Sequence, residues 1–193
     1  MCGRYIANSE DEIIEIREIL KQISIRFINH EFGDNALLAD IYPTNKVLVI
    51  KNKIEITRAK WGIEKWDKKG FIINAKSETY QQSGFFKPFA GNRCIIPAHG
   101  YYEWQTLQDK TKAKYVFTSE NKHGIFMAGI YKTALESDEF VIITKPAEEK
   151  IKFIHDRMPL IVKAEQVEDW LDEKLQIRDI QGQKSGVAWE EVS

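Results

Sequence analysis

Apolar residues in most of this chain come in short runs, most of them closed off by Gly, Pro, Asn, Asp or Lys. That spacing restricts the fold more than any other feature, because runs of this length suit strands and are too short for packed helices. Val47–Ile50 and Ile54–Thr57, parted by Lys51-Asn52-Lys53, read as a hairpin. Further strands are predicted at Phe71–Ile73, Cys94–Ile96, Tyr101–Trp104, Tyr115–Thr118, Ile125–Tyr131, Phe140–Thr144 and Leu160–Val162. Helical signals are few. Ser9-Glu10-Asp11-Glu12 has the form of a capping box, followed by Ile13, Ile14, Ile16, Ile19, Leu20 and Ile23 at helical spacing. Two short helices fit Ala147–Ile154 and Glu165–Leu171. Many short strands with few helices predict an α+β fold with a curved antiparallel or mixed sheet, not a βαβ repeat. No internal repeat or Pro/Gly-rich linker divides residues 1–193, so one domain is expected.

The 43% hydrophobic and 30% charged content is ordinary for a globular protein. Cys2 and Cys94 are the only cysteines, too few for a disulfide framework, so a reducing compartment is the easier reading. The N-terminus lacks an apolar signal segment and no membrane-length apolar run occurs, so a cytoplasmic location and no membrane partner are expected. With a formal net charge of −1, any nucleic-acid partner would need a local basic groove.

Chemistry-bearing residues sit where apolar strands end. The chain opens Met1-Cys2-Gly3-Arg4-Tyr5. Removal of Met1 would give Cys2 a free α-amine beside its thiol, a 1,2-aminothiol. Such a group condenses with an aldehyde and closes to a thiazolidine, or serves as an N-terminal nucleophile with its own amine as base. Asn74 follows Phe71-Ile72-Ile73, where it can simply terminate a strand. Strand alternation puts Glu103 on the opposite face from Tyr102 and Trp104, in a site or in water. His155 is a lone histidine beside apolar residues. Cys94, flanked by Ile95 and Ile96, reads as a buried strand thiol, and His30 and His123 read as exposed. Cys2, Cys94, His99 and His155 show no metal-ligand spacing, so no metal site is expected.

Together these segments resemble the SOS response-associated peptidase (SRAP) family. The matching residues are Met1-Cys2-Gly3-Arg4, Trp61-Gly62, Asn74-Ala75-Lys76-Ser77-Glu78-Thr79, Pro97-Ala98-His99-Gly100-Tyr101-Tyr102-Glu103-Trp104, Phe126-Met127-Ala128-Gly129 and His155-Asp156-Arg157-Met158-Pro159. The resemblance implies a single α+β domain around a curved, barrel-like β-structure. It also implies DNA-damage chemistry: binding of single-stranded DNA, or its junction with duplex, and capture of abasic sites as a covalent crosslink through Cys2. No metal or organic cofactor is implied. The protein would act as a monomer, associated with the nucleoid when DNA-bound. The family's "peptidase" activity is read as removal of whatever precedes Cys2.

Carried over residue by residue, the resemblance makes Cys2 the covalent nucleophile and Asn74 a hydrogen-bond partner for its terminus. Glu103 becomes a proton acceptor and donor at the amine, and His155 the acid–base that opens the deoxyribose ring. Arg4, Lys76 and Arg157 become phosphate ligands, with Trp66 and Trp104 stacking on bases. A thiol near its ordinary pKa of ~8.5 would need only modest help. An imidazole near ~6.5 would set a limb of the pH–rate profile close to neutrality. The chain departs from the family pattern at Lys76, where Arg is common, and at Asp40-Ile41-Tyr42-Pro43-Thr44, where Asn-x-Ala-Pro-Thr is usual. It also ends at Val192-Ser193, where members usually continue. Two other readings stay open: a cysteine autopeptidase or peptidase, and a non-covalent reader of modified bases.

Overall fold

The computed structural model describes residues 2–7, 40–51, 55–121 and 124–192. Their strands are β1 (Arg4–Ile6), β2 (Asp40–Ile41), β3 (Lys46–Lys51), β4 (Glu55–Trp61), β5 (Ile63–Glu64), β6 (Phe71–Ile72), β7 (Asn74–Lys76) and β8 (Arg93–Ala98). They continue as β9 (Gly100–Thr106), β10 (Lys112–Ser119), β11 (Ile125–Lys132), β12 (Glu139–Pro146), β13 (Arg157–Pro159), β14 (Ile161–Val162) and β15 (Val187–Val192). Two five-residue helices, Val167–Leu171 and Ile177–Gln181, accompany them.

Strands β12, β4, β3, β8 and β11 pair in a ring that closes where β11 meets β12. Within it only β12–β4 is parallel, which makes a closed mixed barrel. β8 and most of β11 and β12 are buried along their whole length. Strands covered on both faces read as continuous apolar runs. Successive residues of β12 feed two separate apolar clusters: Phe140 and Ile142 the one that holds Cys2, Val141 and Ile143 the one sealed by Trp170. The ring is tight at Gly129, where a Cβ would lie 2.5 Å from Ile96 Cδ1 and 2.9 Å from the Val141 carbonyl oxygen.

A second, five-stranded sheet runs β15-β10-β9-β1-β2. β9 alternates: Tyr101 and Glu103 turn inward, Tyr102 and Trp104 are half-buried on the outside. β12 changes partners along its length. Its first half pairs with β4 and β11, its second with β7 on one side and β13 on the other. Asn74 lies opposite Ile142 and Arg157 opposite Pro146, so one strand brings both predicted site segments together.

The predicted strands from Val47 to Val162 are present, several longer than expected. The hairpin forms, with Lys46 to Lys51 antiparallel to Lys60 to Glu55. Asn74 does not end a strand but begins β7. The helix expected at Ala147–Ile154 is only a 3-10 turn at Glu149–Ile151. Its apolar spacing serves to bury Ile151, which ends that turn, and Ile154 just beyond it. The helix predicted from Ser9, together with His30 and His123, lies outside the described residues.

Candidate active site

β1 pairs antiparallel with β9, setting Arg4 opposite Tyr102 and Tyr5 opposite Tyr101, and this lays Cys2 into the first apolar cluster with no exposure. Asn74, from β7, donates its side-chain amide to the Cys2 carbonyl oxygen at 2.8 Å. The adjoining residue is fixed as well, since the Trp61 indole N–H donates to the Ile73 carbonyl oxygen at 3.0 Å. The Cys2 thiol donates to the Arg4 carbonyl oxygen at 3.7 Å.

Glu103 is 3% exposed on the inner face of β9. Burial raises its carboxyl from 4.5 to about 7, and the charge of Asp156 adds to the push. Desolvation disfavours a charged carboxylate, so the group titrates where a base and acid can both be used. Burial, and then the charge of Glu103, also push the Cys2 thiol well above its ordinary value. The expected thiol near its unperturbed range is therefore corrected: Cys2 is a neutral thiol at neutral pH.

His155 lies on the turn before β13. The Arg157 backbone N–H donates to its Nδ1 at 2.9 Å, so the neutral ring carries its proton on Nε2. Asp156 Oδ1 is also 2.9 Å from Nδ1, a contact that becomes an ion pair when the ring is protonated. Burial lowers the imidazole's pKa, with the Asp156 charge opposing. The limb near neutrality expected from His155 thus shifts to Glu103. Asn74 bonds to Cys2, the charge of Glu103 acts on the Cys2 thiol, and Asp156, beside His155, acts on Glu103.

The predicted DNA ligands are placed less uniformly. Arg157 makes a forked pair with Glu78, at 2.5 and 2.9 Å, and donates to the Thr144 carbonyl oxygen at 2.6 Å. The Arg157 guanidinium holds the Glu78 carboxyl down at about 2. The Arg4 guanidinium sits 4.5 Å over Tyr42, 5.2 Å over Trp104 and 6.0 Å over Tyr102, with Asp40 Oδ2 at 3.6 Å. Lys76 is exposed and has no ion-pair partner among the described residues. Trp66 is 77% exposed, on the loop between β5 and β6, its ring 5.3 Å from Phe85. Lys65, Lys68 and Lys69 share that exposed loop. His99 instead has its backbone N–H bonded to the Ile6 carbonyl oxygen. Thr144, Glu78 and Tyr42 carry no sequence signal of a site role on their own. For Glu78 the one pointer is its place in the family-like segment Asn74–Thr79.

A buried thiol whose backbone is pinned, a carboxyl raised towards neutrality and a nearby imidazole are groups able to attack as a nucleophile and to move protons. The sequence profile of the "SOS response associated peptidase (SRAP)" family matches residues 1–192. The chain belongs to the SRAP family. It is 33% identical to the Bacillus subtilis abasic site processing protein YobE, over 90% of this chain and 83% of that one. To the Escherichia coli abasic site processing protein YedK it is 29% identical, over 91% and 81%. The Gallus gallus abasic site processing protein HMCES is 29% identical over 51% of this chain and 37% of its own. Crystal structures of proteins from Bacteroides thetaiotaomicron and Bordetella bronchiseptica share the SRAP fold seen here. Their TM-scores are 0.78 and 0.76 at 20% identity; both cover 100% of this chain, and the match spans 92% and 100% of theirs. Among the described residues no helix is long and apolar enough to cross a membrane.

Proposed function

We propose that this SRAP protein processes abasic sites in DNA, and that it does so by covalent capture in single-stranded DNA through Cys2 once Met1 is removed. An abasic deoxyribose opens to an aldehyde. The Cys2 amine adds to it and loses water to give an imine; sulfur then bonds to the same carbon while its proton passes to nitrogen. The product is a thiazolidine, with one water released and no redox change.

The observation that carries this reading is Glu103, buried with a carboxyl near 7 and close enough for its charge to act on the Cys2 thiol. Such a group can take a proton from the ammonium or thiol and return one to the leaving hydroxyl, a service worth ~10²–10⁴-fold. Asn74 holds the Cys2 backbone in line. The Nε2 proton of His155 serves ring opening. Lys76, Arg4 and Arg157 are assigned to phosphates and Trp66 and Trp104 to bases, each stacked base worth ~1–3 kcal/mol. Tyr42 and Tyr102, already under and beside Arg4, extend that aromatic surface. We place the protein on DNA in the cytoplasm, as a monomer on single strands or their junctions with duplex. A peptidase attacking other chains fits less well, because a cysteine nucleophile is normally activated by a lowered thiol pKa and burial here raises it.

The test is a denaturing gel of protein mixed with a single strand carrying one abasic site. A shifted band that survives denaturation without borohydride supports capture. Peptide cleavage with no shift would turn the reading to a peptidase, and binding lost on denaturation to a modified-base reader.

A further inference from the structure

Two large aromatic side chains meet at the surface, Phe153 at 50% exposure and Trp189 at 41%, with ring centroids 5.2 Å apart. Tyr115, buried beneath them, stands edge-on to both, at 6.2 Å from Phe153 and 5.6 Å from Trp189. Single exposed apolar residues are ordinary. Three rings from β10, β15 and the turn before β13 in mutual edge-to-face contact are a specific packing arrangement. No step of the proposed capture uses them.

Their places in the fold give the contact a direction. Tyr115 lies opposite Glu103 in the β9–β10 ladder and opposite Glu191 in the β10–β15 ladder. Its hydroxyl is 3.0 Å from Gln105 Oε1 and 3.3 Å from Glu191 Oε2, so it ties three strands at the level of Glu103. Phe153 stands two residues before His155, and residues 152–156 belong to no strand or helix. From inside, that segment is held by Ile151 and Ile154, buried in the same cluster as Tyr115. The Ile154 and His155 N–H groups both donate to the Ile151 carbonyl oxygen, at 3.0 and 3.3 Å, and Ala147 N–H donates to that of Asp156 at 2.9 Å. From outside, Phe153 closes it against Trp189 and Tyr115.

We propose that Phe153 and Trp189 are positioning residues for His155: their ring contact fixes the His155 turn against the sheet that carries Glu103. The inference rests on the reading of His155 as the acid–base of capture. The Arg157 N–H at Nδ1 sets how the imidazole is rotated. It does not set where the turn sits, because Arg157 and His155 move together. That second coordinate comes from the aromatic contact to β15 and β10. Displacing a reacting group by about 1 Å can cost as much as ~10²-fold in rate, and a proton donor on an irregular segment is the group most open to such a shift.

Because the rings act through His155, their effect must depend on its presence, which separates the proposal from a packing role. Phe153→Ala, Trp189→Ala and Phe153→Tyr are to be compared with the parent, and the two alanine changes also made in a His155→Ala background. The substrate is a single strand with one abasic site. Formation is read from a gel time course, reversal from a chase with excess competitor, and non-covalent affinity by anisotropy. Each alanine variant is expected to slow formation and reversal together by about 10-fold, with affinity unchanged. Phe153→Tyr keeps the ring and should stay within about twofold of the parent. In the His155→Ala background the alanine changes should add less than about twofold, because the group they position is gone. Equal slowing in both backgrounds would overturn the proposal, as the signature of a general loosening of the fold. So would formation and reversal by Phe153→Ala at the parent's rates. Phe153 is half-exposed on a turn, so that variant carries the test even where Trp189→Ala fails to fold. Unchanged rates in His155→Ala alone would instead sink the reading of His155, and this proposal with it.

Discussion

The Asn74 side-chain amide donates to the Cys2 carbonyl oxygen at 2.8 Å across 72 residues of sequence. The contact exists because β7 joins β12 in parallel while β1 joins β9, bringing the two strands to one point. Asn74 Oδ1 is buried, with no partner among the described residues, and so remains able to accept from an amine on Cys2.

Asn74→Ala removes that hold. A single hydrogen bond of this kind is worth about 1 kcal/mol net, so a modest fall in Tm is expected. The crosslinking rate should drop more, by about 10-fold or above, because position of the amine is lost as well as stability. Retained DNA affinity with slowed crosslinking, measured by anisotropy and gel time courses, would fit. Unchanged crosslinking would show that Asn74 only braces the fold.

Glu103 makes a prediction with a defined sign. Its folded pKa of about 7 lies above the ordinary 4.5. Below pH 4.5 the carboxyl is protonated in both folded and unfolded chains and costs nothing. Between 4.5 and 7 the unfolded chain ionises first, so stability falls as pH rises, and above 7 the loss levels off. Each pH unit between those two values costs about 1.4 kcal/mol, so the full loss is about 3 kcal/mol. Glu103→Gln should therefore melt with the parent near pH 4.5 and above it at pH 8. The same change should abolish the limb near pH 7 in the crosslinking rate. Equal Tm differences at both pH values would contradict the buried carboxyl.

His155→Ala should slow crosslink formation and reversal together, by about 10²-fold each, because an acid–base catalyst lowers one barrier from both sides. The limb near neutrality should survive this change, since burial lowers the imidazole and Glu103 titrates there instead. A chase of preformed crosslink with excess competitor reads reversal. An unchanged reversal rate would make His155 structural.

Salt reports how many phosphates are held. At about −0.7 in log–log slope per phosphate on a single strand, three cations would give roughly −2. Arg157 is paired with Glu78 and Arg4 with Asp40, so a shallower slope is expected from the parent. Glu78→Gln frees Arg157 and should steepen the slope by about −0.7. A parent slope already at −2 that Glu78→Gln leaves alone would mean the ion pairs open on binding.

How far the sequence carries this picture depends on the residue. Long apolar strands such as β8, β11 and β12 declare themselves, because both faces are covered. β1, β2 and β13 hold two or three residues of mixed polarity and leave no periodic signal, yet they place Cys2, Asp40 and Arg157. Alternation along β9 correctly separates Glu103 from Tyr102 and Trp104. That the inner face is dry follows only from the barrel packed against it, a long-range fact. The same burial raises the Cys2 thiol and lowers His155, so the unperturbed values expected for both fail for one reason. Ile151 and Ile154 mimic a helix that the chain abandons to set His155 on a turn.

The most direct measurement is the denaturing gel with Cys2 as the variable. The parent, with Met1 removed, should give a persistent shifted band on a single strand bearing one abasic site. Cys2→Ser should give a band only when borohydride is added, because the amine remains and the sulfur does not. Cys2→Ala has the amine too and should behave as Cys2→Ser does, while both keep most of their non-covalent affinity. A persistent, borohydride-independent crosslink from Cys2→Ala would contradict sulfur-mediated capture outright.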